Sequence, residues 1–409
     1  MSTFRHIAPS GTPIRLKALL AWAERSLSSN ASDNELTSTI STKYGIKHCF
    51  TVSTGRAAMV IALRAFKAAN RAPQRTEVII PSYTCYSVAA SAELAGLKVR
   101  ICDIDPKTLS YDIDQLKTIN FDNVLAIVTA NLYGLPNDLP EIERLAKNNG
   151  IYMLDDAAQS MNGKIAGRYA GTYGDIGLYS LDKGKNITTI QGGILVTNSD
   201  QIAELIKNTL ASLQPPSRSE CIKDFIKLTI YTILLRPWLY WIPAKMPGLG
   251  LGQTEYTTDY PISLYNHHMK GLAEVLFNDI DTITSTRKNN YQRLQDAAAQ
   301  ASQLQAIQPI NTAEPAYLRL PIIFDTNTSR EAFIKLANKH GISATISYPQ
   351  SLADLSEIQG FATVHNDHAE GGRFIASHIV TIPTHGYMSD RDIDSISNLL
   401  VHSSNGKTE

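Results

Sequence analysis

The stretch Ile151-Tyr-Met-Leu-Asp-Asp-Ala-Ala-Gln159, with Asp175-Ile-Gly-Leu-Tyr-Ser-Leu-Asp-Lys-Gly-Lys-Asn186 and Gln191-Gly-Gly193 after it, decides the fold. Ile151-Tyr-Met-Leu154 is apolar without alternation, as strands buried on both faces of a parallel sheet are. The pair Asp155-Asp156 then falls at the strand's C-terminal end, where open α/β sheets bind their ligands. Ile176-Gly-Leu-Tyr179 supplies the next strand and is followed by Ser180, Lys183 and Lys185. An acid, an amide and a lysine are thus expected near one another.

Outward from that centre, apolar runs alternate with helical patterns. Cys49-Phe-Thr-Val-Ser53 reads as a strand turning through Thr54-Gly55-Arg56 into an apolar helix from Ala57; the unpartnered N–H groups of such a helix start favour an anion. Further strands are expected at 78–80, 99–102 and 124–128, and helices at 87–96, 112–119, 138–149 and about 200–213. This alternation builds a parallel sheet with helices on both faces. Pro215-Pro-Ser217 marks a break. The stretch 225–242 is unusually apolar, but Lys227, Arg236 and Pro237 interrupt the roughly 20 residues that a bilayer span needs. It reads as a buried or interfacial helical hairpin. One long helix is expected over 272–299, then strands at 316–324, 343–347 and 379–382 and helices at 329–340, 371–378 and 389–400. The organisation expected is an arm at 1–15, a large domain at 16–214, the apolar insert at 215–260, an interface segment and linking helix at 261–300, and a smaller C-terminal α/β domain at 301–409. Ser29-Asn-Ala-Ser-Asp33 reads as a loop.

A chain of 409 residues exceeds one simple core, and 38 basic against 38 acidic side chains remove the electrostatic case for nucleic acid. Cys49, Cys85, Cys102 and Cys221 lack metal-type spacing, and no basic segment followed by an apolar run stands at the N-terminus. A cytoplasmic location and no metal are therefore expected. A buried acid beside a lysine is the pair that pyridoxal 5'-phosphate chemistry uses. The amine condenses with the cofactor's aldehyde, and the carboxylate keeps the ring nitrogen protonated.

Pro81-Ser-Tyr-Thr84, Ala95-Gly-Leu-Lys-Val99, Asp103-Ile-Asp-Pro-Lys-Thr-Leu109, Leu132-Tyr-Gly134, Asp155–Gln159, Gly174–Ser180, Lys185 ahead of Gly192-Gly193, Tyr348-Pro349 and Ile382-Pro383 stand in one order. That ordered set, over about 35–400, resembles the DegT/DnrJ/EryC1/StrS family, mostly sugar aminotransferases of the aspartate aminotransferase fold (fold type I). The resemblance implies a mostly parallel large-domain sheet, with Asp156 on the pyridine nitrogen and Gln159 at the ring hydroxyl. Lys185 would be the catalytic, cofactor-linking lysine, and Lys183 is the alternative two residues early. Ser180 and the Gly55-Arg56 turn would hold the phosphate. It also implies a homodimer in which Asn266 reaches the neighbour's cofactor.

Several positions depart from the family pattern. Arg56 stands for a usual threonine, and Cys85 for an aromatic that stacks on the ring, with Tyr83 or Tyr86 as substitutes. Asn131, Gln191 and His268 replace a histidine, a glutamate and an arginine. The 225–242 stretch is not part of the common pattern, which points to a divergent branch. The leading reading is amino transfer from an amino acid such as glutamate to a keto sugar, carried on a nucleotide, for glycan synthesis. Its rivals are a same-cofactor enzyme with another reaction or a lipid-linked acceptor, and a regulatory protein without turnover. The family's dehydratases carry histidine in place of the lysine, so Lys185 argues against that version. The apolar stretch would serve either a peripheral membrane contact or a dimer interface.

Overall fold

Val124-Leu-Ala-Ile-Val-Thr-Ala130 is buried at every position, and such a strand lies only inside a sheet covered on both faces. A computed structural model describes residues 5–27, 35–246, 255–301 and 303–403. The loop expected at 29–33, the first four residues of the arm and positions 247–254 of the insert lie outside the described residues. In chain order the strands are β1 (His48–Val52), β2 (Glu77–Pro81), β3 (Lys98–Cys102), β4 (Val124–Ala130), β5 (Tyr152–Asp156), β6 (Lys164–Ile165), β7 (Arg168–Tyr169), β8 (Ile176–Ser180), β9 (Gly193–Thr197), β10 (Leu304–Ala306), β11 (Ala313–Glu314), β12 (Arg319–Phe324), β13 (Ala362–Val364) and β14 (Ile379–Pro383).

The large sheet has the order β1-β9-β8-β5-β4-β2-β3-β13. It is parallel from β8 through β13, while β9 runs antiparallel to both β8 and β1. The chain steps outward from β2 to β3 and then returns to place β4 on the other side of β2. The strand order therefore switches there, and a crevice opens at the C-terminal strand ends. Apolar side chains fill both faces. On one, Phe66 of the Gly55–Ala69 helix stacks on Tyr152 at 4.7 Å. A second, three-stranded sheet, β10-β12-β14, packs with the helices Ile280–Ala298, Asn327–Lys339 and Asp390–Ser403 around its own core.

The arm joins these parts. Ile7 bridges to Ile342, and the buried Arg287 guanidinium donates to Gly11 O at 2.6 Å and Leu318 O at 3.0 Å. Thr12 Oγ1 reaches the carbonyls of Lys185 and Asn186, each at 2.8 Å.

Three expectations need correction, and one strand went unread. The helix expected over 272–299 is two, His267–Asn278 and Ile280–Ala298, because Asp279 leaves helical geometry between them. The strand expected at 343–347 is only the bridge Thr345 to Thr381, and Ser347 at φ 60° ends any extended run. Of the buried and interfacial readings of the apolar stretch, the buried one does not hold. The stretch lies largely within the Arg218–Leu234 helix, whose start a Ser217–Glu220 capping box sets seven residues before Phe225, and a short turn of helix follows at Trp241–Lys245. Most of the long helix's circumference is exposed. Finally, β13 was not anticipated; it comes from the C-terminal part of the chain yet extends the large sheet beside β3.

Candidate active site

β5 ends at two acids that meet different surroundings. Asp155 is fully buried and accepts from Asn131 Nδ2 at 2.7 Å, Thr129 Oγ1 at 3.2 Å, Gly171 N at 2.6 Å and Tyr173 N at 3.3 Å. Those donors tie β4, β5 and the 171–173 loop together, which is a structural task. Asp156 points the other way along the pleat and lines a cavity of about 830 Å3. Its Oδ1 accepts from Ala158 N at 2.9 Å. Burial pushes its carboxyl up to about 6, opposed by that N–H and by the charge of Lys185.

The cavity gathers the ends of several strands. Ser180 closes β8, Ala130 and Asn131 close β4, and Thr84 and Cys85 follow β2. Thr54 caps the Gly55–Ala69 helix, its hydroxyl accepting from Ala57 N at 3.0 Å, and presents Gly55 and Arg56 to the same space. A Cβ on Gly55 would stand 3.0 Å from both Cβ and Oγ of Ser180, and one on Gly193 would collide with Thr54 O. Glycine at both positions lets the helix start approach the ends of β8 and β9, leaving its first N–H groups facing the cavity as an anion site. Arg56 adds a cation stacked 4.7 Å over Tyr260.

Lys183 and Lys185 both line the cavity, but it is Lys185 whose charge acts on Asp156. Gln159 is fixed at both ends: its Oε1 accepts from Tyr133 N at 3.0 Å and its Nε2 donates to the Tyr348 hydroxyl at 2.9 Å. Gly55, Arg56, Cys85, Asp156, Gln159, Ser180 and Lys185 are thus brought together. Tyr86 and Tyr83 are not. The Tyr86 hydroxyl pairs with Gln350 and that of Tyr83 with Tyr133 and Ile346, and neither ring is among the lining side chains. Asn266 is buried beneath the cavity wall rather than in it. Its Nδ2 donates to Asp224 Oδ2 at 3.1 Å, and the same oxygen accepts from Gln191 Nε2 at 2.7 Å, Gln191 being a lining residue.

Sequence reasoning passed over Lys227, Glu255 and Thr257, which line the cavity's outer part, and Asp224, which ties the Arg218–Leu234 helix to its wall. The only signal was position within the insert. Thr12, holding the Lys185 carbonyl from the far end of the chain, had none. A second group, Asp103, His368 and Glu370, comes within 4.8 Å, but both Asp103 oxygens are occupied by Ser82, Gly371 and Gly372. That acid caps the Glu370–His378 helix.

The model of the DegT/DnrJ/EryC1/StrS aminotransferase family matches residues 17–219 and 270–401, leaving out the stretch that carries the outer helix. A GDP-4-keto-6-deoxy-D-mannose 3-dehydratase of Yersinia pseudotuberculosis is 33% identical over 165 residues, 40% of this chain and 42% of that protein. A GDP-perosamine synthase of Escherichia coli O157:H7 is 31% identical over 153 residues, 37% of this chain and 41% of that protein. The matched stretch therefore spans about two fifths of the length of these relatives. The solved structure of Helicobacter pylori PseC, an aminotransferase involved in pseudaminic acid biosynthesis, superposes with a TM-score of 0.79 at 15% identity, over 98% of this chain and 100% of that one. The architecture is that of a fold type I enzyme.

Proposed function

From the premise that this chain belongs to the DegT/DnrJ/EryC1/StrS aminotransferase family, we propose that it transfers an amino group from an amino acid, glutamate first among donors, to a nucleotide-linked keto sugar destined for a surface glycan. The observation that carries this is the joining, in one cavity, of an acid of raised proton affinity, a lysine whose charge acts on it, and an anion-binding helix start.

Those donors fit pyridoxal 5'-phosphate. Thr54, Gly55, Arg56 and Ser180 would hold its phosphate, Asp156 its ring nitrogen and Gln159 its ring hydroxyl, while Lys185 would be its covalent attachment point. When bound, the cofactor supplies an electron sink for the carbon losing its proton. The chain's own part is to hold and move protons. Asp156, opposite a protonated ring nitrogen, would be held ionised by that charge, which offsets the upward pull of burial. Lys185 Nζ would withdraw the proton from the donor's α-carbon and give it up to the cofactor. In the second half it would take that proton back and deliver it to the former ketone carbon of the sugar. Arg56 and the helix start fix the anionic end, so the reacting carbon stays within reach of that one amine.

The same reading makes the protein a cytoplasmic homodimer in which Asn266 serves the neighbour's site, with peripheral membrane contact through 225–242. The test is transfer of isotopically labelled nitrogen from glutamate to a panel of nucleotide-linked keto sugars. Label in an amino sugar supports the proposal, and label that leaves glutamate for no acceptor in the panel counts against the sugar class.

A further inference from the structure

The Arg218–Leu234 helix is turned inside out relative to an ordinary surface helix. Its buried residues are Asp224, Leu228 and Thr232, one per turn. The face opposite carries Ile222, Ile226, Ile230 and Ile233, Phe225 stands on its flank against the Trp22 ring at 5.7 Å, and Trp238 follows just beyond its end; each of these except Trp22 is between 48% and 61% exposed. An apolar side chain left in water at every turn needs a cover. The inner face is firmly seated, since Asp224 takes hydrogen bonds from Gln191 of the cavity wall and from Asn266 beneath it, so the apolar face cannot roll inward without breaking them.

Charge identifies the cover. From the start of the helix to residue 246 the exposed charged side chains are Arg218, Glu220, Lys223, Lys227, Arg236 and Lys245, five cations against one acid, and that acid is engaged in the Ser217 capping box. The other acid in that span, Asp224, is 3% exposed and faces the protein. Isoleucines, an exposed tryptophan and a rim of lysine and arginine make up the composition of helices that lie in the headgroup region of an anionic bilayer. A second copy of this chain is a poorer occupant. Across a two-fold axis the same patch meets itself, which would set these cations against one another. No described helix is long and apolar enough to cross a membrane, so the contact is one of lying on the surface.

We propose that the outer face of the Arg218–Leu234 helix, with Trp238, is a docking surface for anionic lipid, resting on the reading of the neighbouring cavity as the amino-transfer site. Lys227 lines that cavity from the same helix, so docking holds the cavity beside the headgroups.

The test is flotation of the cofactor-loaded protein with vesicles of phosphatidylcholine alone or with added phosphatidylglycerol, comparing wild type with Ile226→Glu/Ile230→Glu. The proposal predicts recovery of wild type with the anionic vesicles only, reduced by added salt, and at least a tenfold lower recovery of the double variant. That variant should keep the wild type's sedimentation coefficient and its release of keto acid from glutamate. A wild type that never floats, a variant that floats equally, or a variant that sediments as a smaller species overturns it, the last by making the face a contact between copies. If the double variant fails to fold, Lys223→Ala/Lys245→Ala leaves the apolar face intact and must still lower flotation on anionic vesicles. Loss of keto acid release by the wild type itself would count against the reading of the cavity, whatever the flotation shows.

Discussion

Asp156 works against its surroundings. The cavity wall lifts its carboxyl to about 6 from an ordinary 3.8, although the proposed chemistry needs the carboxylate. A folded-state value above the unfolded one means that the native state binds the extra proton between the two. The apoprotein accordingly loses stability as pH rises through that window, and the penalty is complete above about 6. Two units correspond to at most ~3 kcal/mol, and solvent reaching the carboxylate through the cavity reduces this to roughly 1–2 kcal/mol. Asp156→Asn should therefore stabilise the cofactor-free protein at pH 7 to 8 and have little effect near pH 4, as thermal unfolding across that range would reveal. The same substitution should slow the half-reaction with glutamate by about a hundredfold or more, the scale of a lost charge-assisted contact. Equal melting curves at every pH would mean that burial does not act on this acid. The family resemblance singled out Asp156, and because consecutive strand residues face opposite ways Asp155 meets a different environment. Its four donors, all of them from 129–131 and 171–173 rather than from its own neighbourhood, were not legible in the sequence.

At the scale of elements, legibility followed how local the cause was. β4, β5 and β8 could be read because an unbroken apolar run has few alternatives. The capping box Ser217–Glu220 is equally local, but the apolar stretch begins only at Phe225, so hydrophobicity alone does not mark the helix's first turns. β13 is three residues long with Thr363 exposed at its centre, and only pairing with β3 makes it a strand. Nor does any periodicity announce that a helix will turn its isoleucines outward. That depends on Asp224 finding Gln191 and Asn266 about 30 to 40 residues away along the chain. Asp224→Ala leaves both amide donors without their acceptor, at a cost of roughly 1–3 kcal/mol. Urea unfolding should show a lower midpoint with an unchanged slope, and Gln191, released into the cavity, should raise KM for the acceptor more than it alters kcat. An unchanged midpoint would mean that the helix is seated by Leu228 and Thr232 without the acid.

For the whole molecule, the fold class and the membership of most site residues were legible because ordered motifs along a chain encode strand ends along a sheet. The contribution of distant segments was not: Thr12 reaches the Lys185 loop and Arg287 fastens the arm, both by hydrogen bonds to backbone carbonyls that carry no residue signature. The shared-site proposal belongs to this scale. Asn266 sits two hydrogen bonds, through Asp224, from the Gln191 that lines its own cavity, so it acts either on the neighbour's site or by holding Asp224 in its own chain. Mixing inactive Lys185→Ala subunits with impaired Asn266→Ala subunits should restore up to one intact site per heterodimer if the first holds. No recovery between subunits that demonstrably exchange would assign Asn266 to its own chain.

The central claim is that Lys185, opposed by Asp156, carries out amino transfer. Protein loaded with pyridoxal 5'-phosphate and given glutamate without any acceptor should release one 2-oxoglutarate per active site and stop, Lys183→Ala should do the same, and Lys185→Ala should release none. No release from the wild type, or equal release from Lys185→Ala, would contradict it.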